Sequence, residues 1–235
     1  MSMTMRRFSG RLLNRDWIWR RLTMSLAGVV ILGVTVGVNM STRLGMDPFG
    51  AFVVGMGLVS GLSYGVMFIL VQAALAVLAL FLDRHYIHVS TVLSLLLVGP
   101  IAQAVRDFVD LRFPMQGLAL RLTVMVINLI VLCLGSSFYM TADLGVSSYD
   151  AMPIIISKKS GWPFRLVRIA SDSVCALAGF LSGADVGIGT LLTALALGPV
   201  IDMFNRKVSL PMLYRPKAKG PGQPAGKGIS DHDMA

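Results

Sequence analysis

Long uncharged runs of apolar residues, separated by short polar breaks, dominate the chain. A helix needs about 20 mostly apolar residues to span a bilayer. Five stretches predict such helices: Leu22–Thr42, Ser63–Leu82, Val89–Val105, Leu122–Ala142 and Ile169–Ala184. A sixth, Val186–Ile201, is shorter but equally apolar. Pro48–Leu62 and Tyr149–Ser157 are too short for ordinary spans. Composition agrees with a membrane protein. Of 235 residues, 55% are hydrophobic and only 14% charged, against about 25% charged in a soluble domain. That balance excludes a disordered chain, a coiled coil and a nucleic-acid-binding domain.

The pattern recurs. Leu44-Gly45 returns as Leu144-Gly145, Phe49-Gly50-Ala51 as Tyr149-Asp150-Ala151, and Ser60-Gly61 as Ser160-Gly161. The run from Thr91 to Gly99-Pro100 matches that from Thr190 to Gly198-Pro199. A fixed period of this kind is the signature of a duplicated unit. The predicted fold is an all-α polytopic membrane protein of two tandem repeats. Each repeat has three long transmembrane helices plus one short or re-entrant helix. Residues 1–21 form a basic cytoplasmic segment, 22–110 repeat 1, 111–121 a cytoplasmic linker, 122–205 repeat 2, and 206–235 a basic tail, disordered beyond Tyr214. Pro48–Leu82 is uncharged throughout, but its counterpart is interrupted by Lys158, Lys159, Gly161 and Pro163, so it should break near Val59–Gly65.

Charge bears on orientation. The net charge is +9, and the basic residues crowd into Met1–Arg21, Arg106–Arg121 and the tail after Asn205. Lys and Arg flanking spans mark cytoplasmic loops. Four crossings per half would put all these clusters inside, with the halves parallel. Three crossings would invert the halves and move Arg106–Arg121 outside. The charge pattern favours eight segments in parallel halves, with both termini cytoplasmic in a bacterial inner membrane. Leu22–Thr42 is longer than the apolar core of a signal peptide and reads as a retained span. Arg6, Phe8, Leu12, Leu13 and Trp17 suit a short amphipathic helix on the membrane surface.

No catalytic constellation is visible: no H-E-x-x-H, P-loop or G-x-S-x-G. An enzyme is not expected, nor a cofactor. Cys133 and Cys175 sit in apolar runs as packing residues. His85 and His88, with Asp83, have metal-ligand types at i, i+3 spacing, but their place at the membrane edge favours an interfacial role. Gly28, Gly33 and Gly37 allow close helix packing, and Asn39, Gln72, Gln103 and Asn128 can bond between helices.

Stronger candidates flank the short segments. Gly45 and Gly145 each follow a long span, and Asp47-Pro48 and Ser147-Ser148 are N-cap and N1 types. Short interrupted segments at matching positions of two halves point to a transporter's binding site, and their free amides favour an anionic group. Asp150 lies one turn into the second short helix, where an acid needs water or a partner. Arg165, Arg168 and Asp172 form a polar stripe on one helix face. They read either as a clamp for an anionic group or as an ion pair that lets Asp172 be buried. The second reading is slightly favoured, because the first-half equivalent of Asp172 is Gln72.

The segments Thr141-Ala-Asp-Leu-Gly145-Val-Ser-Ser-Tyr-Asp150, Ser160-Gly-Trp-Pro-Phe-Arg165-Leu-Val-Arg168, Val186-Gly-Ile-Gly-Thr190 and Leu197-Gly-Pro199 resemble the YczE/YitT-like family of bacterial inner-membrane proteins. The resemblance spans roughly residues 25–205. It implies an L-G-x-x-P-x-D element in each half. The first half departs from it at Gly50, where Asp is expected, and the second at Ser148, where Pro is expected. The resemblance implies a polytopic bacterial protein that moves a small solute. The functional expectation is a secondary transporter or exporter of a small anionic or zwitterionic solute, with Gly45, Asp47, Gly145, Ser147, Asp150, Arg165, Arg168 and Asp172 at its site. The rival is a non-transporting scaffold, or a substrate-binding subunit of a larger membrane complex, docked through its basic tail.

Overall fold

The computed structural model describes residues 15–214. The expected amphipathic segment at Arg6–Trp17 falls largely outside the described residues, as does the disorder expected beyond Tyr214. The described chain is helical throughout: α1 Arg15–Thr42, α2 Pro48–Ser60, α3 Tyr64–Asp83, α4 Val89–Arg112, α5 Leu118–Thr141, α6 Ser148–Ser160, α7 Phe164–Leu181, α8 Ile188–Phe204 and α9 Leu210–Tyr214. A π-helical turn, Asn205–Ser209, joins the last two. Four helices, α1, α3, α4 and α5, are long and apolar enough to cross a membrane. Helix α7 begins earlier than its apolar run suggests and takes in Arg165 and Arg168. Helix α8 has 17 residues.

Glycines set the closest packing. A Cβ on Gly28 of α1 would meet the backbone of Tyr139 and Gly135 in α5 at 2.7 and 2.8 Å. One on Gly33 would meet Ile101 of α4 at 2.8 Å, and one on Gly37 the carbonyl of Ala102 at 2.5 Å. Small residues let backbones approach this closely, and dispersion then holds the helices without a hydrophobic driving force. Polar pairs lock the register. Ser25 bonds to Ser90 at 2.6 Å. Asn128 donates from Nδ2 to the Thr35 carbonyl at 2.7 Å and to Asn39 Oδ1 at 2.8 Å.

These contacts fix helix directions. Ser25 pairs with Ser90, and Gly37 with Ala102, so α1 and α4 run parallel. Gly28 meets Tyr139 while Thr35 meets Asn128, so α1 and α5 run antiparallel. The near end of the bundle holds Arg21, beside Asp143 at 3.7 Å, and Asn205, hydrogen-bonded by Thr141. The far end holds Thr42, Arg112 and Leu118. This corrects the expectation of parallel halves with four crossings each: α5 enters the bundle from the end opposite to α1. The 111–121 linker therefore lies across the bundle from Arg21 and Asn205, not on their side.

The short helices do not traverse the bundle. Helix α2 lies along the C-terminal part of α7 and runs parallel to it, with Ala51 against Gly179, Gly55 against Ser182 and Leu58 near Gly183, so it ends at the far end. Helix α6 runs beside α3, with Ala79, Ala151 and Ile155 in one apolar cluster, and ends at the near end, where Lys158 meets Asp83. Each short helix thus returns to the end from which its chain entered. Each ends on a glycine in the left-handed region, Gly61 (φ 72°) and Gly161 (φ 74°), where glycine carries no Cβ penalty.

Candidate functional site

The loops before α2 and α6 share one geometry. Arg43 and Asp143 have φ of 53° and 51°, and Gly45 and Gly145 have φ of 98° and 104°. The glycines are also sterically required: a Cβ on Gly45 would sit 2.6 Å from the amide nitrogen of Gly187, and one on Gly145 would sit 2.9 Å from His88 Cβ. Backbone pairing secures both loops. The Leu44 carbonyl accepts from Gly189 at 2.9 Å, and the Leu144 carbonyl accepts from Ser90 at 3.0 Å. Thr91 Oγ1 donates to the Val146 carbonyl at 2.6 Å. Each loop is therefore anchored on the first turn of a helix, α8 or α4.

Two N-caps follow. Asp47 Oδ2 accepts from the Gly50 amide at 2.9 Å. Ser147 Oγ accepts from the Asp150 amide at 3.1 Å and donates to Asp150 Oδ2 at 2.8 Å. Pro48 at N1 loses nothing, because its missing N–H would be an orphan there. The two N-terminal turns then face each other. Phe49 of α2 stacks on Tyr149 of α6, with ring centroids 4.4 Å apart and planes at 21°.

Around this stack lies a charged network. Arg168 of α7 donates from Nη1 to Asp150 Oδ1 at 2.6 Å and from Nε to Asp172 Oδ2 at 3.2 Å. Tyr149 donates its hydroxyl to Asp172. The Arg168 guanidinium lies 5.0 Å from the Tyr149 ring centroid, within range of a cation–π contact. The Asp150 carboxylate also sits at the positive end of the α6 dipole. One guanidinium and two helix N-termini thus face Asp47, Asp150 and Asp172. The side chains of Asp150, Arg168 and Asp172 keep 20–34% exposure, so the network is half-buried rather than sealed.

Asp150, Arg168 and Asp172 are brought together, as are Ser147 and Asp150. Gly45, Asp47 and Gly145 shape the two approaches. Arg165 stands apart: it is exposed and makes no ion pair among the described residues. Tyr149 and Phe49 were not among the predicted site residues. Their signal was present in the matched aromatic positions before Gly50 and Asp150.

The two ends of the bundle differ. At the near end Lys158 Nζ lies 3.0 Å from Asp83 Oδ2 and 5.7 Å from the Tyr86 ring centroid. The Asp83 carboxylate holds the Lys158 ammonium above its usual pKa. At the far end a cavity of about 270 Å³ lies beside the loop into α2. Its walls include Asn39 of α1, Arg43 after it, Met46 and Val54 of the α2 segment, Arg106 of α4, and Asp185 before α8. Among the described residues no group of three or more His, Cys, Asp or Glu could hold a metal ion.

A family model described as a family of unknown function, DUF6198, matches residues 19–206, which takes in both short helices and the charged network. The chain belongs to this family. It is 25% identical over 195 residues to the uncharacterized membrane protein YczE of Bacillus subtilis (strain 168), covering 82% of this chain and 88% of that protein. An uncharacterized protein of Haemophilus influenzae is 24% identical over 186 residues, covering 79% and 84%. The uncharacterized protein YyaS of Bacillus subtilis is 23% identical over 177 residues, covering 75% and 88%. No solved structure matches the chain. The resemblance read from the sequence is thus shown: this is a YczE-like, multi-pass membrane protein.

Proposed function

We propose that this DUF6198 protein is a secondary transporter of a small polar solute in a bacterial inner membrane. One observation carries the reading: the N-terminal turns of α2 and α6 meet at Phe49 and Tyr149, and Arg168 ties Asp150 to Asp172 beside them. Half-helices whose N-termini converge inside a membrane present free amides and positive dipole ends to a solute. Intramembrane charges of this kind mark substrate or ion paths.

On this reading the sequence repeat builds an inverted pair, with α1–α4 and α5–α8 entering from opposite sides and α2 and α6 re-entrant. The near end is cytoplasmic, because Arg20, Arg21, Lys158, Lys159, Arg206 and Lys207 gather there. The ion pairs Lys158–Asp83 and Arg21–Asp143 stand at the near end, and the cavity lies at the far end. Transport on this reading opens the α2–α6 junction to one end at a time.

The test is flux in proteoliposomes. Asp150→Asn and Arg168→Gln should each abolish uptake or efflux of a screened solute while the protein still elutes as a folded species. Unchanged flux in both variants would move the path away from α6 and α7. Wild-type protein that carries no solute from a broad panel would leave the scaffold as the better reading.

A further inference from the structure

The far-end cavity carries unused chemistry. Arg43 and Asp185 both line it, yet neither makes an ion pair with the other or with any described residue. Arg106 adds a second guanidinium, held loosely by Asp110 at 3.7 Å. Buried Asn39 is also in the wall, its Oδ1 already accepting from Asn128. The remaining wall is apolar, formed by Met40, Met46 and Val54. Opposite charges that share a cavity without meeting leave room for a molecule that bears both signs. A guanidinium is shaped to grip a carboxylate through two parallel hydrogen bonds. A carboxylate accepts from an ammonium. The methionines can mould to an unbranched or branched alkyl group.

We infer that this cavity binds a small zwitterion of α-amino-acid type with an apolar side group. Arg43 and Arg106 take its carboxylate, Asp185 takes its ammonium, and Met40, Met46 and Val54 take its alkyl group. A volume of about 270 Å³ lies just below the usual range for drug-sized ligands and suits a molecule of amino-acid size. The cavity wall includes Gly45 and Met46 of the loop that leads to Asp47. The assignment names the substrate class of the transporter proposed above and rests on that reading for its role, but not for the binding itself.

The experiment is thermal stabilisation of the full chain in detergent by leucine, with 4-methylpentanoate and 3-methylbutylamine as probes lacking one charge each. Leucine should raise the melting midpoint saturably, and each analogue should need at least a tenfold higher concentration. Arg43→Gln and Asp185→Asn should each abolish the shift, and Arg43→Lys should weaken it without removing it, which guards against a variant that fails to fold. No shift with leucine or with other apolar amino acids overturns the assignment. Equal potency of the amine-free analogue overturns the role of Asp185 and leaves a carboxylate site. Flux in proteoliposomes separates the two proposals. Saturable binding without flux keeps the cavity and defeats the transporter. Flux of a solute that is indifferent to Arg43 and Asp185 keeps the transporter and defeats the cavity as its substrate site.

Discussion

Arg168 bonds to Asp150 at 2.6 Å across 18 residues of chain, and the same guanidinium reaches Asp172 at 3.2 Å on its own helix. A single cation thus serves two carboxylates on different helices. Removing one member of such a set is costly because the others stay desolvated without compensation.

Arg168→Gln should therefore destabilise the protein by about 2 kcal/mol, below the usual range for fully buried pairs because the network is half-exposed. Adding Asp150→Asn should recover part of that loss, since it removes one of the two stranded charges. Melting midpoints of the single and double variants in detergent measure both effects. A double variant less stable than Arg168→Gln would show that Asp150 has a further partner.

Two glycine substitutions should behave oppositely to helix propensity. Gly179→Ala, in the last turn of α7, would place its Cβ 2.6 Å from the Ala51 backbone. It should cost about 1–3 kcal/mol through forced separation of α2 and α7, although alanine is the better helix former. Gly61→Ala meets open space and should cost only about 1 kcal/mol, from its left-handed backbone. Denaturation curves would rank the two.

Cysteine labelling should place the linker and the C-terminal turn on opposite faces of the membrane. In a background lacking Cys133 and Cys175, Gln116→Cys and Lys207→Cys both present an exposed position. An impermeant maleimide should reach one in sealed cells and the other only in inverted vesicles. Labelling of both from one side would restore the four-crossing arrangement that the α1–α5 contacts exclude.

Asn128→Leu should cost about 1 kcal/mol, in keeping with modest interhelical hydrogen bonds in membranes. It removes both bonds from Nδ2 and leaves the Asn39 amide oxygen unpaired at the cavity wall. If the cavity binds its solute as proposed, the freed Asn39 should alter affinity as well as stability. Paired melting and binding measurements would distinguish a purely structural role.

Much of the fold was legible because membrane burial writes itself into sequence as uninterrupted apolar runs. The break after Ser60 could be read only from its counterpart at Ser160, since Pro48–Leu82 carries no charge to mark it. Within one helix, the Arg168–Asp172 pair followed from i, i+4 spacing. Its partner Asp150 did not, because no local pattern reports which faces two helices bring together. Helix direction was misread at the linker for a physical reason. Arg106 and Arg121 counted as free positive charges, whereas Arg106 lies beside Asp110 and Arg121 donates to the Met115 carbonyl at 3.0 Å. Arginines engaged in this way at a helix end are weak reporters of sidedness. The far-end cavity left no trace in the sequence, because Asn39, Arg43, Arg106 and Asp185 are brought together only by tertiary packing.

The pairing of α2 with α7 and of α6 with α3 has a consequence for how the protein is made. When the ribosome has finished α4, α2 has only part of its final surroundings: the helix it lies along has not yet been synthesised. Its N-terminal turn, with Asp47, has no place in lipid until α7 arrives. The first half must therefore wait in an unfinished state beside the insertion machinery, and a chain truncated in the linker should be cleared by membrane proteases instead of accumulating. Assembly is completed by the last helices to emerge, so quality control acts on the whole chain or not at all.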